Sequence, residues 1–131
     1  MNDHESAAAL RKEAAEVFHR LAGDTAAAAP WEALDATAPA LADTVAFGLA
    51  EVVGRPGLDL RTRQLVTVAV LAALGGCEGQ LGFHVGGALR NGATAEEVAE
   101  TLSQVALYAG VPRAINAMAV ARSAVEKFQD R

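Results

Sequence analysis

Residues 55–98 read RPGLDLRTRQLVTVAVLAALGGCEGQLGFHVGGALRNGATAEEV, and the punctuation within them decides the fold. Asp59 can cap a helix at its start, and Gly75-Gly76 can stop it. Between them, LVTVAVLAAL is apolar on nearly every face, which predicts a central or interfacial helix. Its valines suit a strand, but ten residues without turn chemistry favour helix. A second helix carries Cys77 and His84 to an Asn91-Gly92 stop of the left-handed type. TAEE follows at once, and Thr94 with Glu97 forms a capping box that opens a third helix.

Working outward, the helical pattern covers almost the whole chain. Leu10, Ala14, Val17, Phe18 and Leu21 mark one face of a first helix over about residues 5 to 22. GDTAAAAPWEALDATAP is a connection with one helical turn around Trp31, and Thr37 with Pro39 opens a helix to about Val53. GRPG at 54–57 is a break. Val98, Leu102, Val105 and Ala109 give the third helix of the central run its buried stripe. Gly110 ends it, and Pro112 sits where a first helical turn accepts proline. The last helix shows Ile115, Met118, Ala119, Arg122 and Val125. The expected architecture is all-α, about six helices in a single domain over residues 1–131.

Composition narrows the function classes. The net charge of −5 comes with no Lys/Arg run, so nucleic acid is not an expected partner. The lone cysteine cannot form an intrachain disulfide and suits a reducing compartment, which points to the cytoplasm. No apolar run approaches the roughly 20 residues of a membrane span, so no membrane is expected. Hydrophobic residues make up 52% of the chain but aromatics only 5%, with alanine filling the gap. A domain this small buries only about two-thirds of its unfolded surface. The apolar excess is therefore expected in subunit contacts.

The chemistry concentrates on Cys77 and His84. Seven residues along a helix turn by about 700°, so the two share a face, with a rise of about 10.5 Å between them. Gln80 lies between, one turn below His84. That rise makes a thiolate–imidazolium pair difficult without distortion at the helix start. A zinc site needs three or four ligands, and His4 and His19 have no ligand spacing with His84. No metal is expected. Gly76, Gly79 and Gly82 fit no phosphate-loop pattern. With Gly86 and Gly87, they are expected to let another backbone approach. On spacing alone, His84 can equally be a half-buried histidine bonded to a backbone carbonyl.

The C-x6-H spacing, the long 55–98 run and YAGVPRAINAMAVAR at 108–122 together change this picture. They resemble the carboxymuconolactone decarboxylase family, which shares its all-helical fold with the alkylhydroperoxidase D proteins. The resemblance extends over about residues 10 to 128. The redox branch of that superfamily uses C-x-x-C-x-x-x-H. Its second cysteine falls on Gln80, which cannot form a disulfide, and a dithiol relay needs two sulfurs. The redox branch also carries a glutamate at the start of the preceding helix. Here TRQLV places Gln64 or Leu65 there, and neither titrates. Alkylhydroperoxidase or disulfide reductase activity is therefore the less favoured reading.

The resemblance implies instead a lyase that needs no cofactor, taking CO2 from a γ-lactone bearing two carboxylates. The electrons flow through the ring double bond onto the lactone carbonyl, so the substrate is its own electron sink. His84 is the implied proton donor to carbon, because imidazole titrates near working pH. Gln80 can bind the developing oxyanion or orient the imidazole. Arg55, Arg61 and Arg63 are candidate carboxylate clamps, since the guanidinium fork matches a carboxylate. Arg61 and Arg63 lie about 200° apart on a helix, so both cannot serve one site from one subunit. Tyr108 offers a hydroxyl near the pocket, and Cys77 is a small lining residue. The resemblance also implies a homo-oligomer, a trimer or trimer-based hexamer. Two other readings stay open. One is a related cofactor-free decarboxylase, cyclase or isomerase on another enolisable or polyketide-like substrate. The other is a noncatalytic helical oligomer.

Overall fold

A computed structural model of the chain describes residues 3–23 and 28–131, with side chains from Ser6 onward. The His4 side chain and residues 24–27 of the Gly/Ala-rich connection therefore lie outside what is described. The described residues are helical with no strand. They form two compact units, Met1–Leu58 and Asp59–Arg131.

The first unit contains α1 (Asp3–Ala22), α2 (Pro30–Leu34) and α3 (Pro39–Phe47), which continues as a π-helical segment, Gly48–Val53. Ala14, Val17, Phe18 and Leu21 of α1 are buried, as the sequence pattern predicts. Trp31 of the short α2 meets Phe18 edge-on at 6.2 Å. Arg11 reaches both carboxylate oxygens of Asp35, at 3.0 and 3.1 Å, and Asp43 at 2.9 Å. The Arg11 bond holds the Asp35 carboxyl below its usual range. Proline opens α2 and α3 without a capping side chain, so Thr37 does not cap α3. The π-helical stretch was not legible as such. Gly54 N–H bonds back to the carbonyl of Leu49, a wider turn than the α spacing.

The second unit is a four-helix arrangement of α4 (Leu60–Leu74), α5 (Glu78–Arg90), α6 (Ala95–Ala109) and α7 (Val111–Gln129). α4 packs on α5, α6 and α7, and α7 also packs on α5 and α6. Asp59 caps α4 by accepting the Thr62 N–H at 2.7 Å. Both halves of the Thr94–Glu97 capping box form at 3.0 Å. The core joins Val68, Leu81, Val85, Leu89, Val98, Leu102 and Val105.

Two sequence expectations change here. On α7 the fully covered residues are Ala117 and Ala121, whereas Ile115 is 62% exposed and Ala119 and Arg122 are exposed. Ala117 and Ala121 let α7 sit close to its neighbours, Met118 and Val125 pack partly buried against the same core, and Ile115 points out. Within this chain, four of the glycines expected to admit a backbone have none against them. A Cβ at Gly76 or Gly79 would meet open space, and one at Gly82 or Gly86 would meet only the side chain of Val120 or Arg90.

Candidate functional site

Two consecutive glycines, Gly75 at φ +70° and Gly76 at φ +73°, turn the chain from α4 into α5. Side chains rarely adopt that backbone, so the turn selects glycine. Cys77 follows as the N-cap of α5 at φ −119° and ψ 40°, outside the helix itself. The helical projection that puts it on one face with His84 therefore does not apply at Cys77. Its half-buried thiol lies 3.6 Å from the Gly75 carbonyl. It lines a cleft of about 160 Å³ with Leu81, Arg113 and Asn116, and His84 is not part of that lining.

His84 lies on α5, half-buried, beside the core residues Leu81, Val85 and Ala88. Opposite it, α4 carries a buried stripe at every fourth position: Leu60, Gln64, Val68 and Ala72. Gln64 is the polar member, and it is fully buried. His84 Nδ1 and Gln64 Oε1 are 2.7 Å apart, a short hydrogen bond between the two helices. The Gln64 amide nitrogen has no partner among the described residues. Burial pushes the His84 imidazole down from its usual 6.5 to about 4. The expectation that this imidazole titrates near neutral pH is thereby revised for the free chain: it is neutral at pH 7, because charging it means desolvating a cation.

The other expected residues are spread more widely. Gln80 is one turn before His84 on α5 and is exposed. Arg61 is paired with Glu97 of α6. Arg63, half-buried, precedes Gln64 on α4. Arg55 belongs to the first unit and is exposed. Tyr108 is 82% exposed and lines a groove of about 450 Å³ between α4 and α6, together with Thr62, Val66, Val70 and Gln104. His84 does not line that groove. Among the described residues no three His, Cys, Asp or Glu side chains gather as a metal site would require.

Sequence reasoning passed over two residues that the fold brings forward. Gln64 enters the sequence reading only as a residue that cannot titrate, although a glutamine on an otherwise apolar four-residue period is a visible signal. Arg113 had none. It extends from the first turn of α7 to the Leu74 carbonyl at 2.6 Å and so closes the C-terminus of α4.

The carboxymuconolactone decarboxylase family model matches residues 38–123. A 4-carboxymuconolactone decarboxylase of Acinetobacter baylyi is 44% identical over 84 residues, 64% of this chain and 60% of that protein. A nitrosuccinic acid decarboxylase of Metarhizium robertsii is 35% identical over 77 residues, 59% of this chain and 53% of that protein. An uncharacterized 15.0 kDa protein of Paracoccus denitrificans is 36% identical over 83 residues, 63% and 62% of the two lengths. The chain thus spans between 53% and 62% of the length of these curated relatives.

Proposed function

The chain belongs to the carboxymuconolactone decarboxylase family, and from that premise we propose that it is a cofactor-independent decarboxylase of a small dicarboxylic acid that contains its own electron sink. The observation that carries this reading is the His84–Gln64 pair, a neutral imidazole held by an uncharged, buried partner. Such a group can load a proton and release it to carbon, the one step that the substrate cannot perform alone.

The two named relatives act on compounds with a common feature. In 4-carboxymuconolactone the electrons of the broken C–CO2 bond pass through the ring double bond to the lactone carbonyl. In nitrosuccinic acid they pass to the nitro group on the same carbon. Both compounds bear two carboxylates, one lost and one retained. The reaction proposed for this chain follows the same course. CO2 leaves, its bonding electrons form an enolate or nitronate, and His84 protonates the carbon. Solvent supplies the proton to His84. A substrate carboxylate beside the imidazole favours its charged form and so promotes that loading.

Gln80 is the proposed donor to the developing oxyanion, which needs a hydrogen bond where charge accumulates. Arg63, next to Gln64 on α4, is the proposed holder of the retained carboxylate, and Arg61 is paired with Glu97. Arg55, in the first unit, is not assigned a step. Cys77 and Tyr108 are not assigned a step. We further propose assembly into a homo-oligomer of at least three chains. Large apolar side chains of the second unit, Val70, Leu74, Leu107 and Ile115 among them, are more than half exposed. Light scattering on dilute protein tests this, and a fully active monomer would contradict it.

The activity itself is tested by incubating the purified chain, without added cofactor, with 4-carboxymuconolactone and separately with nitrosuccinic acid. Release of CO2 from either supports the dicarboxylate class, and from the lactone alone the narrower assignment. Turnover of enolisable lactones without CO2 release would overturn it.

A further inference from the structure

We propose that Gln64 is the positioning residue of this site: its carbonyl oxygen fixes His84 as the tautomer protonated at Nδ1, and so leaves Nε2 as the atom that takes up the proton and hands it to the substrate carbon. This rests on the reading of His84 as the proton-transfer group, and it adds which nitrogen works and what selects it.

The geometry is specific. The two side chains come from different helices, twenty positions apart, and meet at 2.7 Å through Nδ1 and Oε1. Gln64 lies on the buried stripe of α4, between Leu60 and Val68, with no exposure. An apolar residue of similar size would fill that place without desolvating an amide. The amide nitrogen finds no partner among the described residues, so the glutamine carries an unmet donor there. Its one polar contact of this kind is with His84, and that contact is what a glutamine offers over leucine or methionine.

The orientation of the amide follows from the chemistry. With the carbonyl toward Nδ1, the neutral imidazole donates Nδ1–H and keeps a lone pair on Nε2. When Nε2 gains a proton, Nδ1–H still donates to the same oxygen, so one arrangement serves both protonation states. Turned end for end, the amide would present N–H to Nδ1. That would select the Nε2–H tautomer, and proton loading would then set two donors face to face. A neutral amide also differs from a carboxylate in adding no charge to favour the imidazolium. Burial is the one resolved cause of the shift at His84, with no charged neighbour contributing. The imidazole therefore stays neutral until an anionic substrate lies against it.

The test reads the tautomer directly. 15N chemical shifts of imidazole separate Nδ1–H from Nε2–H, and spectra of His84→Ala assign the His84 signals among the three histidines. The wild-type chain without substrate at neutral pH should show His84 as Nδ1–H. A dominant Nε2–H form would overturn the proposal whatever any variant does. Gln64→Met keeps the volume and removes the acceptor. It should shift His84 toward Nε2–H and lower kcat by about tenfold or more, with KM changed much less. Gln64→Glu restores an acceptor and should restore the Nδ1–H form. Gln64→Met with an unchanged tautomer and kcat would equally overturn the proposal. The spectra need no substrate, so the two readings fail separately. Nδ1–H without decarboxylation would remove the proposed activity, whereas decarboxylation with Nε2–H would remove the role of Gln64.

Discussion

Arg61 of α4 and Glu97 of α6 are joined side chain to side chain, and Glu97 has a second duty. Its Oε1 accepts the Thr94 N–H at the start of α6 while its Oε2 faces Arg61. The capping box thereby ties the first turn of α6 to the first turn of α4. An arginine already matched by a carboxylate competes poorly for a substrate carboxylate.

Arg61→Ala should accordingly act on stability rather than on substrate binding. The pair is about one-third exposed on each side, so the expected loss is no more than about 1 kcal/mol. Glu97→Ala also removes the acceptor for the Thr94 N–H, while the Thr94 hydroxyl still caps the helix, so it should cost more than Arg61→Ala but less than loss of the whole capping box. Urea melts measure both. The KM of Arg61→Ala should stay near the wild-type value, and a marked rise would return Arg61 to the site.

His84 should leave a signature in the pH dependence of stability. Its imidazole titrates at about 4 in the folded chain, against about 6.5 when unfolded. Between those values the unfolded chain binds more protons, so stability falls as pH drops from about 6.5 to about 4. Above that window both states are neutral and the effect vanishes. The full loss is at most about 3 kcal/mol. His84→Gln should flatten this part of the stability curve. Parallel curves for wild type and variant between pH 4.5 and 7 would show that the imidazole is not desolvated.

Much of the fold was legible because its signals are local. Asp59, Thr94 with Glu97, Gly75 and Gly110 each act on backbone within a few residues, and each acts as its neighbours suggest. The face of α7 is legible in part: Met118 and Val125 pack against the core, but close packing selects Ala117 and Ala121 for full burial and leaves Ile115 outside. The candidate site was legible only in part. His84 stands out in the sequence, but its partner is chosen by the packing of α4 on α5, which no local pattern encodes. Cys77 was placed by helical arithmetic at a position where the helix has not yet begun.

Gly75 should resist substitution for two separable reasons. Its φ of +70° strains any side chain, and a Cβ there would collide with the Arg113 guanidinium. Gly75→Ala should cost about 1–3 kcal/mol. In the double variant with Arg113→Ala the collision disappears while the backbone strain remains. The two losses should therefore sum to more than the loss in the double variant. Strict additivity in thermal or urea melts would mean that Arg113 does not cross Gly75 in solution.

The central claim is that His84 delivers the proton in a decarboxylation that needs no cofactor, and the kcat of His84→Ala tests it most directly. The measurement is CO2 release from whichever dicarboxylate the wild type consumes, on a variant shown by circular dichroism to be folded. The account predicts a fall of about a hundredfold or more, the scale of a lost general acid. Retention of more than about a tenth of kcat, a loss under roughly 1.4 kcal/mol, would contradict it.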